Sequence, residues 1–260
     1  MANTYIHGHD SSVLASHRWR GANNSAGYLV SALNDGDSLL DVGCGPGTIT
    51  RDFARLLTHG FVVALDRTQT IIHEAVSDES TVFGIAGDVY HLPFRDNSFD
   101  VVHAHQVLQH LSDPRLAIVE MTRVSNRYVA FADADYDRML WWPSSPSLER
   151  WMQLYQDIAV HNGINPNIGR QLPSLALDCG LSNHQVHTIT WTYATTELCH
   201  WWADSWAGRV LHSTYASEAL RLGLSDQEEL NSISQGWLEW ATKPGAIFVI
   251  TSMAILASVG

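Results

Sequence analysis

The chain is poor in positive charge. Its 260 residues carry 15 Lys and Arg against 27 Asp and Glu, a formal net charge of −12. Neutralising a phosphate backbone needs clustered cations, so a nucleic-acid partner is not expected. An anionic membrane surface is disfavoured for the same reason. Cysteine is scarce too: Cys44, Cys179 and Cys199 are odd in number and widely spaced, which excludes a disulfide framework. Long apolar runs are missing. The longest, 246–259, carries Thr251, Ser252 and Ser258 and is shorter than the roughly 20 residues of a spanning helix, so no stable membrane insertion is expected. The opening residues lack the apolar centre of a signal peptide, and a cytoplasmic location is the expectation. Fourteen histidines are present, yet no His-Glu-x-x-His or Cys-x-x-Cys spacing occurs, so no metal site is expected. His103 and His105 alternate on one strand and point to the same face, and His103 reads as an interior residue.

What is present divides the chain in two. In the first half, nearly continuous apolar runs at 38–43, 61–66, 81–86, 99–104 and 127–133 read as strands of a sheet covered on both faces. Helical spacing fills 48–58, 68–76 and 113–124, and Asp113-Pro114 is a helix start with the acid as cap. Repeated strand–helix units imply an α/β, doubly wound, mostly parallel sheet. Beyond Asp133 the pattern loosens. A turn-rich break at 141–146 precedes a helix over 147–161, two further strands are expected at 185–193 and 246–257, and helical segments at 195–223 and 225–242. Nine of the ten tryptophans lie from Trp141 onward. A single domain over 1–260 is expected, with N-terminal cap helices in 1–37, a cofactor-binding half in 38–133, and a substrate and lid half in 134–260 holding the last two strands.

The sharpest signal is Leu39-Leu-Asp-Val-Gly-Cys-Gly-Pro-Gly47, an apolar strand entering a glycine cluster that opens a helix. Glycines there let the backbone approach a ligand, and the helix start presents unpaired N–H groups. The second strand ends at Asp66, 23 residues beyond Gly43, where a carboxylate can take ribose hydroxyls. The third is followed by Gly87-Asp88-Val89, with an acid placed for an exocyclic amine. A dehydrogenase would want Gly-x-Gly-x-x-Gly, and a phosphate-binding loop Gly-Lys-Ser/Thr; neither is present. The acid two residues before the first glycine suits a ligand with a positive amino group better than a pyrophosphate.

From Leu39 to Asp133 the sequence resembles the class I S-adenosylmethionine-dependent methyltransferases. The segments Gly87-Asp-Val-Tyr-His-Leu-Pro-Phe94, Phe99-Asp-Val-Val102 and Val107-Leu-Gln-His-Leu-Ser-Asp-Pro114 resemble the branch that includes ubiquinone and menaquinone biosynthesis enzymes. The resemblance implies a Rossmann-like sheet of seven strands, the last antiparallel, with helical lid insertions. It implies S-adenosylmethionine as cofactor and S-adenosylhomocysteine as product. Gly43, Gly45 and Gly47 would line the methionine and ribose portion, Asp41 would reach the methionine amino group, and Asp66, with Arg67 beside it, would bind the ribose. Asp88 and Val89 would read the adenine, and His105 and Gln106 would lie beside the methionine. One departure stands out: only Val124-Ser-Asn-Arg127 precedes the fifth strand, where the family usually has Leu-x-Pro-Gly-Gly.

The resemblance also marks His110 as a general base and Asp133 as the acid that orients it. Tyr5 or His9 would face the methyl group, and Arg18 or Arg20 the methionine carboxylate. The Asn-Pro-Pro-aromatic motif of enzymes acting on bases and glutamines is absent. Aromatic residues of the second half, Tyr136, Trp142 and Trp202 among them, are candidates for an apolar pocket holding a small acceptor. The expected activity is methyl transfer to a small apolar or aromatic molecule by in-line displacement. The alternatives are a non-catalytic cofactor-binding or interaction protein, and, behind it, a nicotinamide-dependent oxidoreductase. A homodimer is compatible with the composition.

Overall fold

A computed structural model describes residues 19–76 and 81–259. Among these, 19–134, 168–189 and 252–259 form one compact unit, and 135–167 and 190–251 form a second.

The first unit is built on a parallel sheet. Strands β1 (Ser38–Val42), β2 (Phe61–Asp66), β3 (Val82–Ala86), β4 (Phe99–His105) and β5 (Ser125–Ala134) pair in the order β3-β2-β1-β4-β5. Leu40 lies between Val63 and Val102, which fixes the register at the centre. The order reverses beside β1, the position at which sheets of this class bind ligands above their carboxyl ends. Side chains alternate across the sheet. Leu40, Val42, Val63, Val102, Val129 and Phe131 bury one face against Ala117, Ile118 and Met121 of the helix Pro114–Val124. Leu39, Val62, Ala64, Val101 and Ala130 bury the other against Ile49 and Phe53 of the helix Thr48–Leu56. Covering both faces explains why these strands read as unbroken apolar runs. Asp113 caps its helix, accepting from the Arg115 and Leu116 N–H groups.

That helix passes into β5 without a loop, at Val124 and Ser125, so the missing Pro-Gly-Gly turn has become a direct junction. Ser125 Oγ donates to the Tyr128 carbonyl, and the β4–β5 register shifts between Phe99 and Val101 to absorb the short connection. Strand β8 (Ile247–Ser258) runs antiparallel to β5, as the last strand was expected to. The sheet has eight strands rather than seven. The added one, β6 (Leu140–Trp142), pairs antiparallel with Ile247–Val249 in the stretch read from sequence as a turn; β7 (His184–Tyr193) also pairs with β8. Three residues are too few for an alternating pattern to show, and the prolines that follow mask them. The helix Leu172–Asp178 was likewise not expected. The segment expected as one helix over 195–223 is two, Thr196–His212 and Thr214–Arg221, divided at Ser213.

The second unit has a core of aromatic rings. Trp151 of the helix Pro146–His161 meets Trp206 at 4.5 Å and Trp237 at 4.9 Å, both edge to face. Phe248 on β8 is fully buried and touches the rings of Trp141, Trp151, Trp202, Trp237 and Trp240. Edge-to-face pairs add to the area term, so these rings hold the unit together more than any polar contact. Among the described residues no helix is long and apolar enough to cross a membrane. Trp151→Ala should lower the unfolding free energy by about 3–5 kcal/mol, whereas Val160→Ala, at a position 76% exposed, should change it by less than about 0.5 kcal/mol. Urea denaturation followed by tryptophan fluorescence measures both; equal effects would show that the ring cluster is not the core.

Candidate cofactor and catalytic site

The glycine cluster forms a tight loop between β1 and the helix Thr48–Leu56. Gly43, Gly45 and Gly47 all have positive φ, 68°, 53° and 76°, which only glycine adopts without strain. Space is as restrictive as torsion. A Cβ at Gly43 would lie 2.5 Å from Val107, and one at Gly47 2.5 Å from Ala75. The Gly43 and Cys44 N–H groups donate to the Leu65 carbonyl at 2.7 and 3.0 Å. Arg51, which the sequence did not single out, donates from Nη1 to the Pro46, Glu74 and Ala75 carbonyls and fixes the loop from below.

The acids around this loop take different roles. Asp66, at the end of β2, accepts from Gly45 N–H at 3.2 Å and from Thr68 N–H at 3.0 Å. Its carboxylate is thus set at the loop, where a ribose would lie. Arg67 follows it. Asp88 is exposed after β3 and accepts from Tyr90 N–H, with Val89 buried beside it. Asp41 departs from its expected role. It is 3% exposed; its Oδ1 meets His103 Nδ1 at 2.8 Å and its Oδ2 accepts from Thr50 Oγ1 at 2.5 Å. Both oxygens therefore have protein partners, and the carboxylate braces β1 against β4 and the following helix rather than facing a ligand's amino group. Thr50 was missed because nothing in its spacing distinguishes it from an ordinary first-turn threonine.

Beyond β4 the backbone turns sharply. Gln106 has φ 54°, uncommon for a residue with a side chain, and its N–H donates to the Ala132 carbonyl at 2.7 Å. Such strain costs of order 1–3 kcal/mol and concentrates at functional positions. His105 is buried, its ring bonded to the Ser25 backbone; burial first, then the Arg20 charge, holds its pKa well below the ordinary histidine value. A 3-10 turn, Leu108–His110, follows. Asp133, fully buried at the end of β5, accepts from the Leu108 and Gln109 N–H groups at 3.2 and 3.3 Å. It was expected to orient the His110 imidazole directly. It instead caps the turn that carries His110, so its influence passes through the backbone.

Burial moves these two groups in opposite directions. Loss of solvent raises the Asp133 pKa to about 8, the two N–H bonds and Arg20 opposing it. Loss of solvent, then Arg20 and Arg67, lowers the His110 pKa to about 3. Near pH 7 the imidazole is therefore neutral and the acid largely protonated. Arg20 is close enough to His105, His110 and Asp133 to affect all three.

The remaining expected residues divide. Tyr5, His9 and Arg18 lie outside the described residues. Tyr136, Trp142 and Trp202 belong to the second unit. Tyr136 is buried and stacked on Tyr155 at 4.5 Å. Trp202 is buried and stacked on Tyr193 at 4.6 Å, so its faces are taken up by packing. Trp142 is 61% exposed. Asparagine at Asp133 tests the capping account. Because the native pKa lies above that of an unfolded aspartate, the folded chain binds the extra proton, and wild-type stability should fall as pH rises from about 4 to about 8. Asp133→Asn removes that slope. Its melting temperature relative to wild type should therefore rise between pH 5 and pH 9; a constant difference would contradict the buried, protonated acid.

The geometry suits one cofactor class: a loop of left-handed glycines, an acid at the end of β2 held at that loop, and a second acid after β3. Residues 40–128 match the methyltransferase domain family. An uncharacterised methyltransferase of Schizosaccharomyces pombe is 32% identical over 97% of this chain and 95% of its own length. A 2-phytyl-1,4-naphtoquinone methyltransferase of Nostoc punctiforme is 29% identical over 56% of this chain and 66% of its own. The YcgJ protein of Bacillus subtilis has the same fold, with a TM-score of 0.59 at 17% identity, covering 91% of this chain and 98% of that one. The chain belongs to the class I S-adenosylmethionine-dependent methyltransferases.

Proposed function

We propose that this methyltransferase acts on a small apolar or aromatic molecule, at a weakly acidic hydroxyl. The observation that carries the reading is the neutral His110 imidazole on the turn after β4. When bound, S-adenosylmethionine supplies an electrophilic methyl group on sulfur, and S-adenosylhomocysteine remains after transfer. The chain has to orient the acceptor, exclude water and receive a proton. A histidine with a pKa near 3 is always in its acceptor form at neutral pH but is a weak base. It suits a hydroxyl acidified by conjugation, as in a phenol or enol, better than an aliphatic alcohol. Arg20 and Arg67, which act on the same imidazole, would stabilise negative charge developing on that oxygen. The likeness to a naphthoquinone methyltransferase and the net charge of −12 support a small ring compound over a nucleic acid.

The residues present fit the cofactor: the glycine loop for the methionine and ribose region, Asp66 for the ribose hydroxyls, Asp88 and Val89 for the adenine edge. Asp66→Ala should weaken S-adenosylhomocysteine binding by about 10- to 100-fold, the loss of hydrogen bonds to a charged group; calorimetry giving unchanged affinity would remove Asp66 from the site. Labelled methyl transfer to a small-molecule cell extract identifies the acceptor. On that acceptor His110→Ala should lower kcat by about 100-fold with little change in KM. The wild-type kcat/KM profile should show no acid limb near pH 6.5, because this imidazole protonates only near pH 3. Full turnover by the alanine variant would mean that alignment alone suffices.

A further inference from the structure

Gln109 is the middle residue of the Leu108–His110 turn, and neither the glycine loop nor the His110 chemistry makes use of it. Its side chain is 1% exposed, and neither Oε1 nor Nε2 has a hydrogen-bond partner among the described residues. An interior polar atom left unpaired is costly, and a primary amide carries two such atoms. The turn cannot swing outward to wet them. Asp133 holds the Leu108 and Gln109 N–H groups, Leu108 is packed into the core beneath the sheet, and Val107 lies against Gly43 of the glycine loop. The turn that carries the unpaired amide is thus held between the glycine loop and the end of β5, and the amide is adjacent in sequence to His110. The Tyr28 hydroxyl is also buried and without a hydrogen-bond partner among the described residues. Burial, then Asp133 and Asp41, raise its pKa, so it remains a donor.

We infer that the Gln109 carboxamide reads the methyl acceptor, and that this acceptor carries a hydroxyl next to a carbonyl. Oε1 accepts from this hydroxyl, which is distinct from the one whose proton passes to His110, and Nε2 donates to the carbonyl. A carboxamide presents an acceptor and a donor on neighbouring atoms, so its complement is a donor and an acceptor on neighbouring atoms. A molecule with only one of the two leaves half of the amide buried and unpaired, which is the condition under which sites discriminate most strongly. The inference rests on the small-molecule reading above and adds to it the functional groups that the turn selects.

The full-length chain saturated with S-adenosylhomocysteine provides the test, with three probes in calorimetry: 3-hydroxychromone, which has the adjacent pair, chromone, which has only the carbonyl, and 2-naphthol, which has only the hydroxyl. Wild type should bind 3-hydroxychromone at least tenfold more tightly than either of the others. Gln109→Leu should reduce that preference to threefold or less while binding S-adenosylhomocysteine within twofold of wild type. Gln109→Glu, similar in size and without the N–H donors, should show the same loss, and it answers the question if the leucine variant does not melt cooperatively. A preference that survives in the folded variants overturns the assignment, since a trapped water would then satisfy the amide. A large loss of S-adenosylhomocysteine affinity overturns it as well, by making Gln109 a cofactor residue. If wild type prefers none of the probes but transfers labelled methyl to small molecules of an extract, the hydroxyl–carbonyl class is wrong and the small-molecule reading stands. If no small molecule is labelled or bound, that reading fails and the inference fails with it.

Discussion

Two buried or half-buried carboxylates accept backbone N–H groups at the carboxyl ends of parallel strands, and the site depends on these bonds. Strand ends expose amides that have left the ladder and need partners. Asp66 takes Gly45 N–H, which sets the glycine loop against the end of β2. Asp133 takes the Leu108 and Gln109 N–H groups, which sets the turn after β4 against the end of β5. A carboxylate serves better than a neutral acceptor because each bond is charge-assisted where the acid is ionised and still satisfied where it is not. Asp41 works differently. Its partners, His103 and Thr50, are side chains, so it ties three elements together beneath the loop rather than shaping the loop itself.

These distinctions mark what the sequence could reveal. The glycine loop and its strand are legible because three glycines so close together in a strand-to-helix junction have few other uses, and each is found in a left-handed conformation. Asp66 is legible because strand length fixes where it must fall. The roles of Asp41 and Asp133 are not, since a residue's place along a strand does not tell whether its oxygens face a ligand or a neighbouring strand. His103, sixty-two residues from Asp41, decides the first case, and only the β1–β4 register brings them together. Strand β6 escaped for another reason. A strand of three residues is defined by its partner, here Ile247–Val249, and not by its own pattern.

The tryptophan asymmetry shows the same limit. Concentration of tryptophan in the second half suggested a pocket that includes Trp202, and its ring instead joins those of Trp151, Trp206, Trp237 and Trp240, which pack on one another and on Phe248. Composition reports how much apolar surface a segment has to bury; it does not report on which side. Arg209, buried over the Trp202 and Trp206 rings at 5.8 and 4.9 Å, illustrates the point, since a cation inside a tryptophan cluster would be taken from sequence alone for a surface residue.

Burial of the strand ends has one chemical consequence that joins the parts. The same loss of solvent that raises Asp133 lowers His110, so both are largely uncharged near pH 7. A neutral surrounding weakly solvates a cation and an anion alike. In the proposed transfer the hydroxyl proton passes to His110, the oxyanion left behind and the cationic methyl donor then neutralise each other as the methyl moves, and the positive charge remains on the imidazolium. Low polarity favours the charge-neutralising direction, because the separated charges lose more solvation than the neutral products. In the proposed transfer Arg20 and Arg67, whose charges act on His110, would favour the anionic oxygen. The general base that the resemblance implies at His110 therefore need not be strong. The site can rely on a weak proton acceptor and a dry environment, provided that the acceptor hydroxyl is itself acidic.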